Sequence, residues 1–151
     1  MEKLPNSIFH ALVVMSIAVL AGIQLFIPEE PIYDEAHYLR NTVHIASGKF
    51  QALEFDAHYG PTGPGYAWIH AIVWKLYPQI TAIRIANVLL FLLSILLVSR
   101  THERHWDPKP ALMMVCFPGI WVSASLGLTE MFSVFFLSLA VFFFRQKSLH
   151  P

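Results

Sequence analysis

At 151 residues, 56% hydrophobic and 13% charged, with a mean hydropathy of +0.53, the chain is too apolar for an ordinary soluble domain and reads as a polytopic membrane protein. A formal net charge of zero leaves no electrostatic footprint for a nucleic-acid partner. The single cysteine, Cys116, excludes an internal disulfide and a cysteine metal cluster.

Ile8 to Ile27 is 20 residues without Asp, Glu, Lys or Arg, about 30 Å as a helix, which matches a hydrocarbon core and predicts a first span over 8–27. A cleaved signal peptide is the rival reading. The run is longer than a signal core of about 7–15 residues, and no small-x-small cleavage site follows it. Pro28 and Pro31 end the helix. The next segment, PIYDEAHYLRNTVHIASG from Pro31 to Gly48, predicts an amphipathic helix over 32–47 lying on the membrane surface. Ile32, Ala36, Leu39, Val43 and Ala46 fall on one side, and Asp34, His37, Asn41 and His44 on another. Two acids, Asp34 and Glu35, suit the positive end of the helix dipole, and Gly48 is a fitting C-terminal stop.

From Phe50 to Pro64, Gly60, Pro61, Gly63 and Pro64 force a folded loop. Gly65 to Tyr77 is apolar and aromatic but only 13 residues, about 20 Å as a helix, too short for a comfortable span. It predicts an interfacial or re-entrant helix with Tyr66, Trp68, Trp74 and Tyr77 at headgroup level. Ile80 to Val98 is a second full span, with Arg84 one turn inside its start, and 99–110 is a basic connection. Ala111 to Phe144 is 34 residues with one charge, Glu130, about 50 Å as one helix and too long to cross once. The run is expected to fold back at Gly127, where Ser123, Ser125, Thr129 and Glu130 cluster, giving spans over 111–126 and 129–144.

The expected fold is therefore all-α, a polytopic helical membrane protein with about four spans and with juxtamembrane amphipathic helices in an extracytoplasmic loop over 28–79. With the N-terminus inside, Lys3, Arg100, Arg104, Lys109, Arg145 and Lys147 are cytoplasmic, while Glu29, Glu30, Asp34, Glu35, Glu54, Asp56 and Glu130 are outside. A fifth span over 65–77 would put five of those six basic residues outside, against the positive-inside rule.

Four features in order carry a family resemblance. One span is followed by the acidic pair Asp34-Glu35 and Tyr38. A Pro-containing loop precedes a short aromatic helix, HYGPTGPGYAWIHAIVWKLY. An arginine then stands at the mouth of the next span, in Arg84-Ile85-Ala86-Asn87, and Glu130 opens the fourth. The order resembles the GT-C membrane glycosyltransferases, the group containing protein O-mannosyltransferases, aminoarabinose transferases and RgtA/B/C/D-like enzymes. It covers nearly all of this chain and about the N-terminal third of such enzymes. Several relatives carry Lys or His directly before a Pro-Pro pair, whereas His58 and Tyr59 here precede Gly60-Pro61.

The resemblance implies a multi-pass protein of a bacterial or archaeal plasma membrane. Its activity would be transfer of a sugar from a polyprenyl-phosphate donor to an acceptor hydroxyl at the outer face. Asp34 is the implied general base and Glu35 a second acid of the catalytic pair. Tyr38, His58, Tyr59, Arg84 and Glu130 are the implied substrate contacts, with Arg84 facing phosphate. In metal-using relatives, Glu35 and Glu130 would help hold a divalent cation. The resemblance also implies a missing C-terminal portion, or a further membrane subunit, that completes the donor pocket.

Each residue also has a plainer reading. Asp34 and Glu35 can be helix-start residues, Arg84 an interfacial snorkelling anchor and Glu130 a solvated turn residue. His37 and His44, seven apart, suit a solvated polar face better than a zinc site. A non-catalytic membrane assembly or binding subunit, or a degenerate transferase remnant, is the alternative function. A small transporter fits less well, because the ionisable groups sit at span ends.

Overall fold

The computed structural model describes residues 6–32, 34–49, 65–100 and 107–147. Among them the chain forms α1 (Asn6–Phe26), α2 (Glu35–Ala46), α3 (Gly65–Leu76), α4 (Ile80–Ser99), α5 (Pro108–Val115), α6 (Pro118–Ser125) and α7 (Glu130–Lys147), with no strand. The loop over 50–64, with His58 and Tyr59, and residues 101–106 lie outside the described residues.

Local chemistry accounts for several of the boundaries. Gly48 adopts a left-handed φ of +74°, which L side chains resist. It closes α2 in a Schellman motif, with Lys49 N–H donating to the His44 carbonyl at 2.8 Å and Gly48 N–H to that of Ile45 at 3.0 Å. Asp107 caps α5 by accepting from Lys109 N–H at 3.1 Å, with Pro108 at the first helical position.

The expected span over 111–126 is not one helix. Pro118 has no N–H and disfavours helical backbone at the residue before it. Phe117 is accordingly extended (φ −91°, ψ 106°), and the run divides into α5 and α6. Trp121 Nε1–H crosses the break and donates to the Val115 carbonyl. α6 and α7 are separated around Gly127, as the small and polar residues there predicted, and meet at a bend of 115°.

α4 is the organising helix. It packs most extensively on α7 and also contacts α1, α3, α5 and α6, while α2 packs on α3. Phe91 and Ile95 of α4 form the main apolar core with Leu20, Ala111, Ala124 and Met131. A second, smaller cluster joins Ile45 of α2 to Ala67 and Ala71 of α3. The buried side of α4 also carries Arg84, Asn87, Ser94 and Ser99, whereas its exposed side is Ile85, Leu89, Leu93 and Leu96. Polar groups inside and leucines outside invert the arrangement of a soluble helix. α4 is long and apolar enough to cross a membrane, and the bent α6–α7 pair qualifies if taken as one span. The apolar helix Val13–Gln24 within α1 is shorter.

The expected apolar stripe of α2 is divided, with Leu39, Val43 and Ala46 half-buried. Glu35, Thr42 and Ile45 are buried with Tyr38 beside them, whereas Ala36 of the expected apolar stripe is exposed. Tyr66, expected at headgroup level, is buried within the protein. Both follow from polar bonds described below, which draw Glu35 and Tyr66 inward.

Asn87 secures the α6–α7 junction, its Nδ2 donating to the carbonyls of Leu126 at 2.8 Å and Leu128 at 2.9 Å. From the α1 side, Gln24 Nε2 donates to the Ser125 carbonyl at 2.8 Å. Replacing a buried donor leaves its acceptors unsatisfied at about 1–3 kcal/mol each. Asn87→Leu should therefore lower unfolding stability by about 2 kcal/mol or more, with hydrogen exchange accelerated at 123–128. Wild-type protection of that junction in the variant would show that Asn87 does not hold it.

Candidate functional site

The first polar assembly is built around Glu35, the first residue of α2, and Arg84, one turn into α4. Both are buried, each about 2% exposed. Their contact is bidentate: Arg84 Nε donates to Glu35 Oε1 at 2.9 Å and Nη2 to Oε2 at 2.7 Å. The guanidinium also donates to the carbonyls of Pro28 (2.6 Å, from Nη1) and Glu30 (3.0 Å, from Nη2). Glu35 in turn accepts Ile32 N–H on Oε2 at 2.8 Å and Gly127 N–H on Oε1 at 2.6 Å. Each carboxylate oxygen thus accepts two hydrogen bonds, the full capacity of its lone pairs.

Burial by itself would push the Glu35 carboxyl up. Arg84 and the N–H groups of Gly127 and Ile32 outweigh it and hold the group below the ordinary carboxylate range. Gly127 must remain small, because a Cβ there would lie 3.0 Å from Ile83 Cγ2 and 3.4 Å from Glu35 Oε1. Its carbonyl accepts from the Tyr66 hydroxyl. Burial, and after it the charge of Glu35, pushes the Tyr66 phenol well above its usual range, so that it stays a donor.

His70, one turn along α3 from Tyr66, is 0% exposed. Its ring lies edge-on to Tyr66 at 4.1 Å and to Phe132 at 5.1 Å between centroids. Neither ring nitrogen makes a hydrogen bond of normal geometry. Burial lowers the imidazole from 6.5 to about 4, against a smaller opposing pull from the Asn87 side chain, so the ring is neutral at pH 7.

The residues expected to do chemistry separate into two groups. Asp34 precedes α2 with its side chain exposed and making no capping bond. Glu130 is exposed at the start of α7. Tyr38 is half-buried, edge-on to Tyr66 at 5.3 Å between centroids. Glu35 and Arg84 are committed to each other and to backbone, which leaves Arg84 no free fork for phosphate. A divalent ion on Glu35 would have to displace Arg84 or a backbone N–H. No group of three or more His, Cys, Asp or Glu able to hold a metal occurs among the described residues.

Sequence reasoning gave Asn87, Tyr66 and His70 no role in a site. A signal did exist for Asn87. Arg84 and Asn87 are spaced i, i+3 in an otherwise apolar run, which puts two polar side chains on one side of a span and points inward.

A shallow, open cleft of about 270 Å³ adjoins this assembly, between the segment after α1, α2, and the α3–α4 junction. No protein-family model, curated protein or solved structure matches the chain.

Glu35 is depressed in the fold, so its contribution is complete above the ordinary carboxylate range and disappears as pH falls through the folded value. His70 is also depressed. The unfolded chain protonates first, and stability declines as pH falls from 6.5 to about 4, by about 3 kcal/mol in total. Stability of the protein in lipid discs should therefore fall in two stages on acidification, and His70→Phe should remove only the upper one. An unchanged upper stage in that variant would exclude His70 as its source.

Proposed function

We propose that the chain carries the acidic outer-face portion of a GT-C-type membrane glycosyltransferase, which transfers a sugar from a polyprenyl-phosphate donor to an acceptor hydroxyl with Asp34 as general base. The supporting observation is the division of labour in the acidic pair. Glu35 is fully bonded inside, and its neighbour Asp34 is left exposed on a turn that the Glu35–Arg84 pair holds in place. A carboxylate so presented can accept the proton of an acceptor hydroxyl as its oxygen attacks the anomeric carbon. The bond from that carbon to the phosphate oxygen breaks, and the polyprenyl phosphate departs with the electron pair.

In this reading Arg84 positions the acidic turn and does not touch phosphate. His58 and Tyr59 are the proposed substrate contacts, with Tyr38 and Glu130 at the margin. The four-span arrangement, with 28–79 outside, belongs to the same proposal. It is supported by the leucine stripe on α4, which suits hydrocarbon better than water. The membrane would be a prokaryotic plasma membrane with the site facing out.

The second reading, a non-catalytic membrane assembly subunit, is favoured by the full engagement of Glu35 and Arg84 in structure. Asp34→Asn separates the two. In an assembly active in sugar transfer it should reduce the rate on the order of 10²- to 10⁴-fold. Membrane yield should hold, since an exposed helix-start acid contributes only about 0.3–1 kcal/mol. Transfer at near wild-type rate would remove Asp34 as the base and leave the subunit reading.

For topology, Cys116 is replaced by Ser and a single cysteine is introduced at Thr81 or at Arg100. An impermeant thiol reagent applied to intact cells should label the first and spare the second. The reverse pattern would overturn the arrangement.

A further inference from the structure

The cleft beside the ion pair has walls fixed from within. Arg84 holds the carbonyls of Pro28 and Glu30 inward, and Glu29, between them, lines the cleft. Trp74, half-buried on α3, and Gln79 and Thr81 at the start of α4 also line it. Leu39 and the buried Ile80 complete the lining with two prolines, whose fixed φ makes their segments rigid.

The chemistry of this lining is selective. Among the described residues it holds one aromatic plate, one carboxylate, one amide and one hydroxyl, and no Lys, Arg or His. A phosphate or carboxylate ligand would meet Glu29 with no cation to offset it. A purely apolar ligand would leave Glu29, Gln79 and Thr81 without a role. A sugar ring suits both halves. Its C–H face packs on an indole, and its hydroxyls donate to a carboxylate and exchange hydrogen bonds with an amide and a hydroxyl.

We infer that this cleft binds a neutral, polyhydroxylated ring, a glycan unit, between Trp74 and Glu29. If the transferase reading above holds, the cleft is the acceptor side of the reaction and not the seat of the donor phosphate, because the one charge among its described lining residues, Glu29, is negative. Asp34 lies in sequence between two lining residues, Pro31 and Leu39, so the acidic turn and the cleft share one stretch of chain.

The test uses the purified chain in discs of phosphatidylethanolamine and phosphatidylserine, which carry no sugar headgroup. Methyl glucoside, methyl mannoside, glucose 1-phosphate and tetramethylammonium are titrated separately, with binding read by calorimetry and by tryptophan fluorescence. At least one methyl glycoside should bind saturably, and glucose 1-phosphate should bind less tightly than methyl glucoside. Trp74→Ala should abolish binding, and Trp74→Phe should retain it by calorimetry, which guards against a folding defect in the alanine variant. Glu29→Gln should weaken it about tenfold, as loss of a charged hydrogen bond does.

Three results would overturn the assignment: no saturable glycoside binding, tighter binding of the phosphate ester than of methyl glucoside, or binding of tetramethylammonium in place of the glycosides. The two proposals fail separately. Glycoside binding with a transfer rate indifferent to Asp34→Asn removes the base and keeps the cleft. Transfer that depends on Asp34, without glycoside binding, does the converse.

Discussion

The ion pair between Glu35 and Arg84 joins four parts of the chain at one point. It brings the start of α2 and the mouth of α4 to the non-helical segment after α1 and to the break between α6 and α7. Burying two charges is expensive, and a bare pair in a low-dielectric interior would gain little over two apolar side chains. Here the pair also satisfies backbone that could not satisfy itself. The carbonyls of Pro28 and Glu30 and the N–H groups of Ile32 and Gly127 belong to irregular segments, and each finds its partner in one of the two side chains. Losing either charge would expose the other, and would orphan those groups as well.

The same constraint explains the unusual distribution of polarity. Between helices in hydrocarbon, apolar side chains gain nothing by turning away from lipid, and hydrogen bonds do much of the specifying. α4, long and apolar enough to cross a membrane, has the distribution that logic predicts, with Arg84 and Asn87 turned into the bundle and a leucine stripe turned out. Asn87 secures the α6–α7 junction through its carbonyls, and Glu35 and Tyr66 secure it at Gly127. His70 is the member of this interior whose polar atoms are least satisfied. It is held there as a neutral ring by aromatic neighbours, which is why acid should loosen this part of the molecule before it reaches the ion pair.

In the proposed transferase, the adjacent acids Asp34 and Glu35 do different work. Glu35 is an internal strut. Asp34, one residue earlier, faces outward from a segment that the strut holds still, the arrangement a base requires if it is to meet a substrate at fixed geometry. The cleft draws on the same rigidity, since the wall carrying Glu29 is pinned on its inner side by Arg84.

The sequence alone determined what depends on neighbours in the chain. The Gly48 stop, the short aromatic helix after Pro64, the apolar run of α4 and the turn at Gly127 were all legible, because a left-handed residue, a missing N–H and the length of an apolar run act locally. Pro118 was legible by the same rule, yet the expectation of one span over 111–126 passed over it. Only the tertiary structure decided which way the helices face and which polar residues are structural. Periodicity finds two sides of α2, but it assigns the apolar side inward only where water drives that choice. In this chain the buried side of α2 carries Glu35, because Arg84, 49 residues away in sequence, is there to meet it. That partnership, and the consequent freedom of Asp34, leaves no trace in spacing.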